Sequence, residues 1–237
     1  MASRARVIVL PACNAVETLE RTLRDIPSGC ADEVILVDSA SQDETVELAR
    51  SLGLTVCRHP QNRGYGANQK TCYTEALEHG ADVVVMLHPD YQYAPKLIPY
   101  LVNFIVDGCF DVMLGSPIRT RREALAGGMP AFKYFVNRFL TFIENLVRGY
   151  NLSQRHRGMR ACSRQDLEGI DFMSNSDDFV LDTPVLFQHM ERQWPVGEIS
   201  VPVRYEPDSS SIDFRRSVRY GLATLGVAAR YLLRRLL

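Results

Sequence analysis

The sequence predicts an α/β fold around a parallel-dominated sheet, and three observations carry that expectation. Short unbroken apolar runs recur at residues 7–10, 34–37 and 83–87, and such runs suit strands buried on both faces of a sheet. Segments with helical three- and four-residue spacing separate them. The connections are short and polar. Strands alternating with helices in this way call for a doubly wound parallel arrangement, and 237 residues can bury the core it needs.

In order, Val7 to Leu10 make a first strand, broken by Pro11. Asn14 is placed to cap a helix with apolar positions Val16, Leu19, Leu23 and Ile26. Val34 to Val37 form a second strand ending in Asp38-Ser39-Ala40-Ser41-Gln42-Asp43, and Asp43 starts a helix through Val46, Ala49 and Leu52. Leu54, Val56 and Cys57 form a third strand. Gly64 to Lys70 lead into a helix through Ala76 and Leu77. The GYGAN stretch matches a dinucleotide fingerprint poorly, since the third glycine falls at Gln69, and no GxxxxGK[ST] loop is present. Redox and P-loop chemistry are therefore not supported.

Val83 to Leu87 are the fourth strand, which stops abruptly at His88-Pro89-Asp90-Tyr91-Gln92. Ligands of open α/β sheets bind beyond the carboxyl ends of the strands, which makes this cluster a candidate site. A plainer reading makes it a turn in which Asp90 caps the next helix.

Charge divides unevenly: residues 1–116 hold 9 Lys/Arg against 15 Asp/Glu, whereas residues 117–164 hold 10 against 2. A basic block of that kind suits an anionic ligand, phosphate or membrane headgroup, or else a solvated helix face. The six cysteines form no CxxC pair and read as reduced thiols of a cytoplasmic protein. No apolar stretch reaches the roughly 20 residues of a membrane span.

Taken together, VIVLPACNAVETL, EVILVDSASQDET, NRGYGANQK and MLHPDYQYAPK resemble the nucleotide-sugar half of family 2 glycosyltransferases. HRGMRACSR, SNSDDFVLDTPVL and SSSIDFRRSVRYG extend the likeness towards the polyprenyl-phosphate sugar synthases. The resemblance implies a Rossmann-like lobe of glycosyltransferase A type over residues 1–116, an acceptor lobe over 117–205 and a basic helical segment over 206–237, in one compact domain. It implies nucleotide contacts from Pro11, Ala12, Asn14, Asp38, Gly66 and Lys70. It further implies a divalent metal held by Asp90 and Gln92, with His88 as a third ligand, and Asp90, Asp182 and Arg160 as catalytic groups. Arg119, Lys133, Arg138 and Arg157 are the expected contacts to an acceptor phosphate. The implied reaction is inverting transfer of a sugar from a nucleotide-diphosphate sugar to a polyprenyl phosphate. A glycan or small-molecule acceptor, or a non-catalytic binding role, remains open. Nucleic acid is not an expected partner, and homo-oligomerisation is left open.

The sequence departs from the family pattern at His88 and Ser39, where aspartates are usual, and at Ala15, where a glutamate is usual. It departs also at Gln154 and Pro117, which replace an acid and an arginine. Histidine favours Mn2+ over Mg2+, whose ligands are oxygens, so Mn2+ is the expected cofactor. Val218, Leu222, Leu225, Ala229, Leu232 and Leu236 recur at helical spacing opposite Arg215, Arg219, Arg230 and Arg234. Such a basic amphipathic helix suits either the cytoplasmic face of a membrane or packing on the domain.

Overall fold

The computed structural model of the chain describes residues 4–116, 131–154, 158–202 and 214–236. Strands β1 (Arg6–Ala12), β2 (Glu33–Asp38), β3 (Thr55–Arg58) and β4 (Val83–Met86) run parallel. With β5 (Val112–Ser116), β6 (Arg160–Ser163) and β7 (Val196–Ser200) they form one sheet in the order β3-β2-β1-β4-β6-β5-β7. Strand β6 is antiparallel to both neighbours, while β5 and β7 pair in parallel. Strands from both halves of the chain thus share one hydrogen-bonded sheet.

Because successive strand residues face opposite ways, the apolar runs feed two cores. Ile8, Leu10, Leu36, Val83 and Val85 pack with Leu19, Ile98 and Leu101, from α1 (Val16–Arg24) and α4 (Ile98–Val106). Val7, Val9, Ile35, Val37, Val84 and Met86 pack with Cys72 and Tyr73 of α3 (Tyr65–Glu78). Leu167 of α6 (Arg164–Gly169) and Val185 and Leu186 of α7 (Asp182–Glu191) join that second core. Apolar strands covered on both sides are what the continuous hydrophobic runs require.

Asn14 does not cap α1. It sits at φ 53°, and its Oδ1 accepts from the Gln42 amide at 2.8 Å. The first amides of the helix instead reach Thr45 Oγ1 (Ala15 N, 2.8 Å) and Asp43 Oδ2 (Val16 N, 3.2 Å). Asp43 also accepts from the Thr45 amide at 3.1 Å, at the start of α2 (Thr45–Ser51). One loop therefore serves the first turns of two helices, which local capping rules do not foresee.

Two long helices, α5 (Ala131–Arg148) and α8 (Phe214–Leu236), pack against each other. Phe187, Val227 and Ala228 form a small third core there, with Ile143, Val147 and Tyr231 against it. The packing face of α8 is not its expected apolar stripe: Thr224, Val227 and Ala228 are buried, whereas Val218, Leu222 and Leu232 are exposed. Small side chains let the two helices approach closely. Among the described residues, no helix is long and apolar enough to cross a membrane.

Candidate active site

The carboxyl ends of β1, β2 and β4 share one unusual feature. Asn14, Ala40 and Tyr91 each follow one of these strands and each has a φ near +55° (53°, 57° and 57°). Non-glycine residues adopt that conformation at a cost, and such residues concentrate at functional sites. All three lie along the strand edge where an open α/β sheet receives its ligand.

Asp38 ends β2 and is fully buried. Its Oδ2 accepts from the Ser41 amide at 3.0 Å, its Oδ1 from the Ser41 hydroxyl, and Arg58 Nε lies 3.4 Å away. Ser41 Oγ also accepts from the Asn14 amide at 2.8 Å. Pro11 and Ala12 pair with Val37 and Asp38 in the ladder, and Asn68 Nδ2 spans the two strands by donating to Ala12 O and Val37 O. The result is a rigid floor under an exposed rim containing Asn14. Ser41, which sequence reasoning passed over, is the residue that ties the two loops together.

Gly66 and Lys70 face the protein itself. A Cβ on Gly66 would stand 2.6 Å from Ser176 O and 2.8 Å from Asp178 O, and the Gly66 amide donates to Asp177 O at 2.8 Å. Lys70 Nζ donates to Asn175 O at 2.5 Å and to Asp177 Oδ1 at 2.7 Å. The glycine in this loop permits close approach of residues 176–178 to α3. It also fixes the chain leading into α7.

Beyond β4, His88, Asp90 and Gln92 are half-buried. Asp90 Oδ1 accepts from the Gln92 amide at 3.1 Å, closing a tight turn, and Asp90 caps no helix. The His88 ring stacks on Tyr65 at 5.4 Å between centroids, with Nε2 3.3 Å from the Tyr65 hydroxyl. Burial pushes the His88 pKa below its ordinary value, against the opposing pull of Asp90 and Asp182. Tyr65, whose pKa is raised well above the ordinary value by burial and by Asp182, keeps its proton. It donates that proton to Asp182 Oδ2 at 3.3 Å. The phenol oxygen is then the acceptor for His88 Nε2–H, which leaves Nδ1 as the imidazole lone pair. A neutral imidazole, a carboxylate and an amide are donor types that a divalent cation takes.

Tyr65 joins this cluster to the second half of the chain. Asp182, at the start of α7, is 6 % exposed, and its Oδ1 accepts from Arg160 Nη1 at 2.7 Å. Arg160 Nη2 donates to Gln69 Oε1, and the guanidinium lies 5.6 Å from the Tyr73 ring centroid. Arg160 Nε and Gln69 Nε2 have no partner among the described residues. Arg160, Asp182 and His189 line a small cavity with Val112 and Leu114. The Tyr93 hydroxyl accepts from the Gly158 amide at 3.2 Å, and a Cβ on Gly158 would stand 2.6 Å from the His88 ring. Glycine at 158 therefore lets the strand leading to Arg160 close over His88. Tyr220 on α8 feels Asp182 as well, its pKa raised well above the ordinary value by burial first and that carboxylate second.

The structure thus brings His88, Asp90, Gln92, Asp182 and Arg160 into one neighbourhood, with Asp38 and Asn14 along the same strand edge. Arg138 stands apart, donating to Ser153 O at 2.6 Å from an exposed position. Arg119 and Arg157, and the side chain of Lys133, lie outside the described residues. Tyr65, Gln69, Tyr93 and Tyr220 were not singled out from the sequence. Tyr65 stands inside the quoted NRGYGANQK loop, where it reads as a turn residue. A second convergence of ligating groups, Cys162, Asp166 and His189, is fully buried, with His189 Nδ1 2.7 Å from Asp166 Oδ1.

Residues 7–171 match the model of the glycosyl transferase family 2. The chain belongs to that family. It is a glycosyltransferase. The UDP-N-acetylglucosamine–dolichyl-phosphate N-acetylglucosaminyltransferase of Methanococcus voltae is 24 % identical over 222 residues, covering 86 % of this chain and 88 % of that protein. The dolichol-phosphate mannosyltransferase of Pyrococcus furiosus is 30 % identical over 116 residues, covering 46 % of this chain and 32 % of that one. In fold, the chain resembles glucosyl-3-phosphoglycerate synthase of Mycobacterium tuberculosis, solved with Mn2+, uridine diphosphate and phosphoglyceric acid. That likeness has a TM-score of 0.74 at 18 % identity, covering 98 % of this chain and 79 % of the other.

Proposed function

We propose that this glycosyltransferase transfers a sugar, with inversion, from a nucleoside diphosphate sugar to a polyprenyl-type phosphate. The observation that carries the reading is the connection from His88 through Tyr65 to the Asp182–Arg160 pair. It couples the strand edge that suits the donor to the half of the chain that suits the acceptor. The archaeal relative named for dolichyl phosphate, matched over nearly its whole length, supports the acceptor class.

The donor's nucleoside lies along the Asn14 and Ser41 rim, over Asp38. Asp38 orders the two loops and meets a base edge through Ser41 or in its place. His88, Asp90 and Gln92 would hold a divalent cation, Mn2+ in preference to Mg2+ because of the imidazole, and it would supply positive charge beside the departing diphosphate. Arg160, held by Asp182 and Gln69, adds fixed positive charge in a region of low dielectric. A phosphate oxygen is already anionic, so positioning rather than deprotonation is what the acceptor needs. Asp182 then orients Arg160 and Tyr65. With a hydroxyl acceptor it is the group placed to take the proton.

A small phosphorylated acceptor is the second reading, favoured by the fold likeness to a synthase crystallised with phosphoglyceric acid. Both readings share a phosphate monoester. The test is a thermal-shift screen of nucleoside diphosphates with and without Mn2+, followed by transfer assays with prenyl phosphate and phosphoglycerate. A ligand that binds only the folded state raises its melting temperature. Asp90→Ala should abolish transfer while leaving nucleotide binding detectable. Undiminished transfer by that variant, or with chelator present, would remove the metal site from the mechanism.

A further inference from the structure

Helix α5 is amphipathic the wrong way round for water. Its Thr141 and Glu144 are turned inward, 2 % and 1 % exposed, whereas Phe135, Phe139, Phe142 and Leu146 face outward at 59, 57, 64 and 70 %. These four recur at three- and four-residue steps and so share one face. The neighbouring α8 repeats the pattern, burying Thr224 and presenting Val218, Leu222 and Leu232. The two helices pack together, and a Cβ on Gly221 would stand 3.9 Å from Leu140 Cδ1. So many large apolar side chains left exposed on two packed helices are uncommon on a protein that stays in water.

We propose that the α5–α8 face seats the enzyme on an anionic lipid surface. The charge of the two helices selects that occupant. Together they carry nine Lys and Arg, at 133, 138, 148, 215, 216, 219, 230, 234 and 235, and their one acid, Glu144, is buried. Arg138, Arg219 and Arg230 are exposed. In a two-fold dimer the same patch meets itself, which would set one excess of cations against another. Anionic headgroups instead take the cations while the acyl region takes the phenyl rings. The inference rests on the lipid-phosphate reading for its purpose and on nothing from it for its geometry. Helix α8 also packs on the turn at Phe179–Leu181, directly before Asp182, so the seated face borders the acceptor side.

The test is flotation of the full chain with vesicles of phosphatidylcholine alone or with phosphatidylglycerol added. The wild-type chain should float with the anionic vesicles, and do so several-fold less with neutral ones or at about 1 M salt, where screening reaches within about 3 Å. Phe139→Asp with Phe142→Asp should abolish flotation without lowering the melting temperature, since both side chains already face solvent. Equal flotation of wild type and variant, or none by wild type, overturns the proposal. So does a doubled mass in light scattering that the variant reverts, which would assign the face to a second copy. Transfer assays separate this from the functional reading. The variant should lose transfer to a vesicle-embedded prenyl phosphate yet keep transfer to a short, water-soluble one. If wild type uses neither acceptor but still floats, the acceptor reading fails and the surface stands.

Discussion

His88 stands where the family resemblance implies an aspartate, and its surroundings bear on how a proposed metal site would use it. Burial holds its folded-state pKa below the ordinary 6.5, so the ring is neutral at pH 7 and able to act as a ligand. Depression has a definite sign. The folded state resists protonation, so stability from this group is whole above pH 6.5 and declines as pH falls through 6.5 towards the folded value. Metal-supported transfer should keep its plateau through neutrality and fall only below pH 6.5, with the acid limb absent in His88→Asp. That substitution should also raise Mg2+-supported activity relative to Mn2+, because it returns an oxygen ligand. An unchanged metal preference would show that His88 is not a ligand. Arg160 and Asp182 set the other residue-scale expectation. Asp182→Asn leaves a buried guanidinium without its counter-charge and should cost about 3–5 kcal/mol in urea denaturation. Tyr65→Phe, which removes the hydroxyl's two hydrogen bonds to Asp182 and His88, should cost less, about 1–3 kcal/mol. These side chains were legible in the sequence to different degrees. His88, Asp90 and Asp182 stand at motif positions, but the burial of Arg160 and the bridging hydroxyl of Tyr65 depend on contacts across 22 and 117 residues that no local pattern encodes.

At the scale of elements, local pattern identified β1, β2 and β4 because each is a run of apolar residues buried in the sheet, and the half-buried edge strand β3 by its place between two helical segments. Strands β6 and β7 escaped it for a physical reason. Strand β6 is only Arg160–Ser163, and half of it is polar; it is buried because Asp182 and Gln69 meet its arginine. Strand β7 is short, half-buried and at the sheet edge. The loop before α3 makes a testable contrast between two glycines. Gly66 lies against backbone of residues 176–178, which cannot swing aside like a side chain, whereas Gly226 in α8 has nothing within 4 Å of its missing Cβ. Gly66→Ala should therefore destabilise by about 1–3 kcal/mol, lowering the melting temperature by about 2–4 °C for each of those kcal/mol. Gly226→Ala should act the other way, stabilising by about 0.5–1 kcal/mol through lower unfolded-state entropy and better helix propensity. Opposite shifts in two thermal melts would confirm that the first loop is shaped by the protein's own contact.

In the whole molecule, the proposed reaction draws on both halves of one mixed sheet. On the proposed function, the parallel strands β1 to β4 give the donor edge, and β6, antiparallel to β4, sets Arg160 opposite Met86 at the end of that strand. Donor binding and acceptor use should then be separable by mutation on either side of that reversal. Asp38→Asn removes the carboxylate that both Ser41 and Arg58 engage, so it should erase the melting shift produced by the best nucleoside diphosphate. Tyr220→Phe removes a hydroxyl contributed by α8, far along the chain, which bonds Thr183 beside Asp182 and feels that carboxylate's charge. It should leave the nucleotide-induced shift intact while raising the KM for the phosphate acceptor, with the KM for the sugar donor unchanged. Steady-state kinetics with each substrate varied in turn would check this. A loss of nucleotide binding in Tyr220→Phe would mean that α8 supports the sheet as a whole, and the division of labour across β6 would have to be given up.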